Sequence, residues 1–453
     1  METKSKSSTQ NMTSGNSMKQ IVFFFIPLLW GNLFQQIYSL VDSIIVGKGI
    51  SDQALAAVGA TGTLNFLILG FVVGMTRGFG ILFSQSFGKN DLNLLRSYIA
   101  SAKILCIAIS FIFTIICVLS LKTMLVFMRT PADIFKDSYH YFVIILLGIT
   151  VTVLNNLEIT ILQSLGDSKT PLTAMIYSSL ANIMLDIILV MGFKIGVMGA
   201  AIATVFSQII SYRYCLSKTK KLEILKDLQN SVFSNPPFSK RSAVELIKIG
   251  IPVAFMNSIT ATGTMILQYF VNLMGSSYVA AYSACMKFAS LFEQFGMSAG
   301  LSMMTFVGQN FGAKQYGRIR TGVRQGLLLS TVVNIPFVLL QIFYPSILAK
   351  MLLSDAEIIG YCSEFMPILG ICFFSLGWLF IYRYSVQGLG NTFVPMLSGV
   401  IEVIMRVVFC FFFGQYSFKG IALCEVAAWI GAFLMLMITY YVLISILAKK
   451  EEI

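Results

Sequence analysis

Asn182 and Asp186 stand four residues apart in an otherwise apolar stretch, PLTAMIYSSLANIMLDIILVM, at 171–191. On a helix that spacing puts both side chains on one face. The stretch has about the 20 residues needed to cross a bilayer's hydrocarbon core. A carboxylate on a membrane helix costs roughly 3 kcal/mol even on lenient insertion scales, so it faces a bundle interior rather than lipid. There it binds an ion or a proton, or serves as an interhelical hydrogen-bonding group. Asp42 and Thr204 occupy two further apolar stretches. Two carboxylates, an amide and a hydroxyl form an oxygen-rich set. It suits a small hard cation such as sodium, or a proton shared between the carboxylates. This chemistry requires no cofactor beyond the coupling ion.

Other polar groups in apolar surroundings are weighed against that set. Gln35, Asn156, Ser179 and Glu293 are candidates to line a substrate cavity. Lys287 is a possible partner for Glu293. Glu402 and Arg406 are four residues apart, which allows a self-neutralised pair on one helix, read here as structural. Removing both members of such a pair should be tolerated. Glu364 and Glu425 fall near helix ends and could reach water, and Arg77 and Lys103 near helix ends could snorkel. Pro27 lies inside an apolar stretch, where proline bends a helix either as a fixed kink or as a hinge. The single histidine and the scattered cysteines, with no CxxC, exclude a multi-histidine metal site and a disulfide framework. No GxxxxGK[ST] loop and no nucleophile–base pair is present, which argues against an ATP-driven pump and against an enzyme.

The elements that position these residues follow from composition. Of the 453 residues, 57% are hydrophobic and 11% charged, against about 25% charged in soluble domains. The chain reads as an all-α integral membrane protein. Twelve spans are expected, at about 20–46, 54–84, 97–120, 138–165, 171–191, 197–217, 245–274, 279–308, 322–347, 360–388, 393–414 and 420–446. Residues 1–19 read as a mobile cytoplasmic tail, 20–217 as an N-lobe, 218–244 as a cytoplasmic linker containing Asn235-Pro236-Pro237, and 245–453 as a C-lobe. With both termini inside, inner segments carry 21 Lys and Arg and outer segments 7, which favours that orientation in a plasma (inner) membrane. Arg383 is among the 21. The net charge of +12 then faces anionic lipid, not nucleic acid.

One constant offset in numbering maps Gln85 to Gln309, Gly88 to Gly312, Gln163 to Gln387, Pro171 to Pro395 and Gly196 to Gly420. The halves are therefore repeats of six spans each, related by a pseudo-twofold axis along the membrane normal. Asp42, Asp186 and Thr204 all lie within about ten residues of an outer helix end, so ~6–15 Å deep by the rise of an α-helix. The same offset puts Arg406, Cys410 and Ala428 at the positions of Asn182, Asp186 and Thr204.

Taken together, Pro27, VDSIIVG around Asp42, SQSFG at 84–88, LGDSKTP at 165–171, ANIMLD at 181–186 and GVMGAAIAT at 196–204 resemble the multidrug and toxic compound extrusion (MATE) transporters over residues 20–445. The resemblance implies two six-helix lobes and export driven by protons or sodium. Asp42, Asn182, Asp186 and Thr204 match the N-lobe cation site of the DinF-like branch. The C-lobe carboxylate pair of the NorM-like branch aligns with Thr260 and Leu376 and is missing here. The expected function is a monomeric antiporter exporting amphipathic, cationic organic compounds by alternating access. A lipid-linked oligosaccharide flippase of the same wider superfamily is the alternative, and the few cations at mid-depth disfavour it.

Overall fold

A computed structural model describes residues 9–128, 130–222, 225, 238–414 and 416–449. Among them the secondary structure is helical throughout. An apolar chain in hydrocarbon must satisfy every backbone N–H and C=O internally, and a helix does so within each segment. The N-terminal helices are α1 (Ser17–Gly49), α2 (Asp52–Gly88), α3 (Leu92–Phe127), α4 (Ala132–Leu147), α5 (Ile149–Ser164), α6 (Lys169–Asp186) and α7 (Val197–Lys221). The C-terminal helices are α8 (Lys240–Met274), α9 (Ser276–Gly312), α10 (Tyr316–Phe343), α11 (Pro345–Lys350), α12 (Ala356–Gly388), α13 (Phe393–Phe409) and α14 (Phe418–Lys449). Among the described residues nine of the helices are long and apolar enough to cross a membrane, and the bent pair α4–α5 makes a tenth. Of the other three, α11 has only 6 residues, while α7 and α9 have 25 and 37. At a rise of about 1.5 Å per residue both are long enough to span, and they complete two sets of six.

The repeat is visible in the backbone. Asn90 (φ 61°) and Lys314 (φ 58°) turn the chain after α2 and α9, and Gly166 (φ 83°) and Gly390 (φ 88°) turn it after α5 and α12. Each pair is related by the same offset that links the two halves of the sequence. A π-helical turn follows α6 at Ile187–Gly192, and another follows α13 at Cys410–Gly414. The halves differ at the fourth span. α4 and α5 bend by 48° at Gly148, where an added Cβ would collide with Val205 of α7. The counterpart α12 runs unbroken, with Cys372 at the matching position.

The chain forms two compact units, Met1–Asn11 with Trp30–Gly250, and Met12–Leu29 with Ile251–Ile453. These boundaries depart from lobes of 20–217 and 245–453. The first turns of α8 belong to the N-terminal unit because α2 and α3 hold them. Ser97 and Ser242 share a hydrogen bond of 2.9 Å, Tyr98 donates to Glu245, and Gly78 meets the backbone of Gly250. Conversely, α1 begins in the C-terminal unit. Met12 is buried there, and its N–H donates to Gln309 Oε1 at 2.8 Å. Within the expected tail, the backbone carbonyls of Met12, Ser14 and Gly15 are bonded to side chains of α9 and α10. Most of the expected linker, with Asn235-Pro236-Pro237, lies outside the described residues.

Candidate functional site

In the N-terminal unit α6 brings Asn182 and Asp186 to one fully buried face. With the amide turned so that its nitrogen faces the carboxylate, Asn182 Nδ2 donates to Asp186 Oδ2 at 2.8 Å, and Oδ1 accepts from the Thr204 N–H at 3.2 Å. The Thr204 hydroxyl donates to the Ala200 carbonyl one turn back, at 3.0 Å. The carboxyl of Asp42, on α1, lies within hydrogen-bonding reach of Asp186. Asp42 Oδ1 and Asp186 Oδ1 are buried oxygens with no donor. The structure thus brings all four residues together, on α1, α6 and α7. Asn182 serves the site as a donor to Asp186, with its oxygen committed to the backbone of α7.

Two tyrosines complete the site. Tyr38 is one turn before Asp42 on α1, and its hydroxyl is within hydrogen-bonding reach of Thr204. Its spacing from Asp42 is a signal the sequence carried. Tyr141, buried on α4, lies near the same carboxylates, and no local pattern marks it. Two carboxylates in contact repel unless a proton or cation lies between them, and the two orphaned oxygens provide its place. The π-helical turn begins immediately after Asp186. Because the C-terminal repeat has the same turn after Cys410 replaces the carboxylate, the turn belongs to the repeat and the chemistry to the side chains.

At the matching place the C-terminal unit carries a charge network instead. Arg406 pairs with Glu425 at 2.8 Å and with Glu402 at 3.5 Å, and Arg383 pairs with Glu402 on its other side. Ser398 accepts from Arg383 at 3.1 Å, and Tyr282 donates to Glu425 at 3.5 Å. Glu402 and Arg406 are therefore the centre of a buried chain of four, not an isolated pair. Glu425 does not reach water, because α14 aims it at Arg406 inside the unit. Arg383, counted with the inner-side cations, is likewise buried by its pairing. Glu364 is exposed and lies 3.7 Å from Lys419. Lys103 does not snorkel freely but pairs at 3.0 Å with the buried Glu158.

The candidate cavity residues are dispersed. In the N-terminal unit Gln35 is exposed on α1, Ser179 is half-buried on α6, and Asn156 bonds back to the Thr152 carbonyl at 2.8 Å. In the C-terminal unit Glu293 is half-buried on α9. Lys287 is exposed, and among the described residues no ion pair joins it to Glu293. Pro27 lies within the continuous helix α1, shortly before the chain passes from one unit to the other after Leu29.

Comparisons with known proteins follow the repeat. The MatE family model matches residues 27–188 and 252–412. The chain is 25% identical over 422 residues to the probable multidrug resistance protein YpnP of Bacillus subtilis, covering 93% of this chain and 91% of that one. It is 23% identical over 423 residues to the probable multidrug resistance protein NorM of Thermotoga maritima, covering 91% and 88%. Among solved structures, a MOP superfamily transporter from Pyrococcus furiosus matches with a TM-score of 0.88 and 20% identity, over 99% of this chain and 100% of that one. One family pattern thus matches both halves in turn: the chain belongs to the MatE family of multi-pass membrane transporters.

Proposed function

We propose that the protein is a secondary active efflux transporter of the cell membrane, with cytoplasmic termini, in which Asp42 and Asp186 form the cation site that drives export. The observation that carries this reading is the pair of facing carboxylates with two buried, donorless oxygens on helices α1 and α6. Asn182 holds one oxygen of Asp186 and leaves the other for the ion. The arrangement suits a shared proton directly. Sodium would use the same oxygens, with the Asn182 amide rotated to offer its carbonyl. Coupling through the N-terminal unit agrees with the DinF-like branch of the family.

Binding of the ion removes the repulsion between the carboxylates and favours one arrangement of α1 against α6. Substrate favours the other, so the two ligands compete through helix position and export follows by alternating access. The cargo is an amphipathic, cationic organic compound. The names of the relatives support a drug-like cargo, and the half-buried Glu293 supplies a carboxylate for an ammonium group. Nothing in the site favours a pyrophosphate-linked lipid.

The test uses purified protein in liposomes loaded with ethidium, under an imposed proton gradient and then a sodium gradient. Asp42→Asn and Asp186→Asn should insert normally, since the amide keeps the shape and loses only the charge. Gradient-driven export should fall to background in both. Near-normal export by both would remove the carboxylate pair from the mechanism.

A further inference from the structure

Where α9 gives way to α10, the C-terminal unit holds a guanidinium whose contacts are unlike those of an ordinary ion pair. Arg318, in the first turn of α10, spends all three nitrogens on the segment that leads into α1. Nε donates to the Met12 carbonyl at 3.1 Å, Nη1 to Gly15 at 2.6 Å, and Nη2 to Ser14 at 3.2 Å and to Gln20 Oε1 at 2.7 Å. Its Cζ lies over the Phe306 ring, 5.6 Å from the centroid. Asn310 adds a bond to the Met12 carbonyl at 3.2 Å, and Gln309 takes the Met12 N–H. Gly15, at φ 84°, makes the turn that lets three carbonyls converge on one side chain. Met12 is fully buried beneath them.

This clamp does not come from the repeat, because the offset between the halves puts Leu94 at the place of Arg318. The arginine stands in one half only. That half holds the start of α1, whose far end carries Asp42 in the other unit. A lysine could not replace the guanidinium. An ammonium gathers its three donors on one nitrogen, whereas the planar fork reaches four acceptors spread over the segment while lying over a ring.

We propose that Arg318 is a positioning residue for the transport cycle: by clamping Met12–Gln20 to α9 and α10 it holds the first end of α1, so that occupation of the carboxylate pair is transmitted along that helix. The inference rests on the cation-site reading given above. Without a fixed first end, a change at Asp42 would be absorbed by movement of a loose helix start.

Hydrogen–deuterium exchange on the full chain in lipid nanodiscs tests this, with protons and sodium as the probes and with correction for the intrinsic pH dependence of exchange. In the unaltered protein, acidification or sodium should change exchange in both Trp30–Gly49 and Met12–Leu29. In Arg318→Ala, exchange across Met12–Ser17 should quicken by about tenfold or more, the loss of several charged hydrogen bonds. Trp30–Gly49 should keep its response and Met12–Leu29 should lose it. Arg318→Lys should fall between, and it serves as the working comparison if the alanine variant inserts poorly. Unchanged exchange across Met12–Ser17, or a first half of α1 that still responds in Arg318→Ala, overturns the assignment, as does an unaltered protein whose first half of α1 never responds. Asp42→Asn and Asp186→Asn in the same assay separate the two readings. A response that survives in both variants condemns the cation site and the Arg318 proposal with it. A response lost in both, beside a first half of α1 that still responds in Arg318→Ala, condemns the clamp alone.

Discussion

The four-membered charge network of the C-terminal unit predicts an order of mutational costs that an isolated pair would not give. Glu402 and Arg406 are its centre, and Arg383 and Glu425 its ends. Arg406→Met strands the buried Glu425, whose remaining partner is the Tyr282 hydroxyl at 3.5 Å. Glu402→Gln strands the buried Arg383, which keeps only Ser398. Each leaves an uncompensated buried charge and should cost about 3–5 kcal/mol. Arg383→Met leaves Glu402 with Arg406, and Glu425→Gln leaves Arg406 with Glu402, so each should cost less, about 1–3 kcal/mol. The double variant Glu402→Gln with Arg406→Met is decisive. For a lone pair it would return stability toward the starting value. Here it strands Arg383 and Glu425 at once and should remain at least as unstable as either central single variant. Unfolding in detergent, followed by tryptophan fluorescence, measures all five. A double variant as stable as the parent, or an Arg383→Met as damaging as Arg406→Met, would refute the network as the source of stability.

Three further outcomes follow from single observations. Asn182→Leu, which removes the 2.8 Å donor to Asp186, should weaken cation-driven export while leaving both carboxylates in place; export equal to the parent in the liposome assay would show that the amide is a bystander. Gly166→Ala combines a φ of 83° with a clash against the Gln10 carbonyl and should cost about 1–3 kcal/mol, more than Gly196→Ala, which meets only open space at φ 70°. Thermal unfolding of the two variants side by side checks the order. A cysteine at Ser231, in a background without the native cysteines, should resist impermeant thiol reagents in intact cells; ready labelling from outside would reverse the topology.

The family, the helical class and the grouping of Asp42, Asn182, Asp186 and Thr204 were legible in the sequence because each rests on local physics. Long apolar stretches must be helices in a bilayer, and a carboxylate among them is too costly to be idle. A constant offset between matching residues revealed the repeat, and the same offset showed that Arg406, Cys410 and Ala428 replace the N-terminal site. Tertiary structure alone decided the rest. Glu402 and Arg406 are neighbours on one helix, so spacing finds them. Arg383 and Glu425 come from α12 and α14, and only packing brings those helices against α13. The sequence placed Glu425 near a helix end but could not say toward which side it points. Likewise the placement of α4 brings Tyr141 near Asp42 and Asp186, and Lys103 finds Glu158 across two helices. Residues 12–16 look like solvent-exposed tail until Arg318 collects the carbonyls of Met12, Ser14 and Gly15. Composition reports what a segment prefers in isolation, whereas a buried charge or a converging set of carbonyls depends on which distant segment arrives beside it.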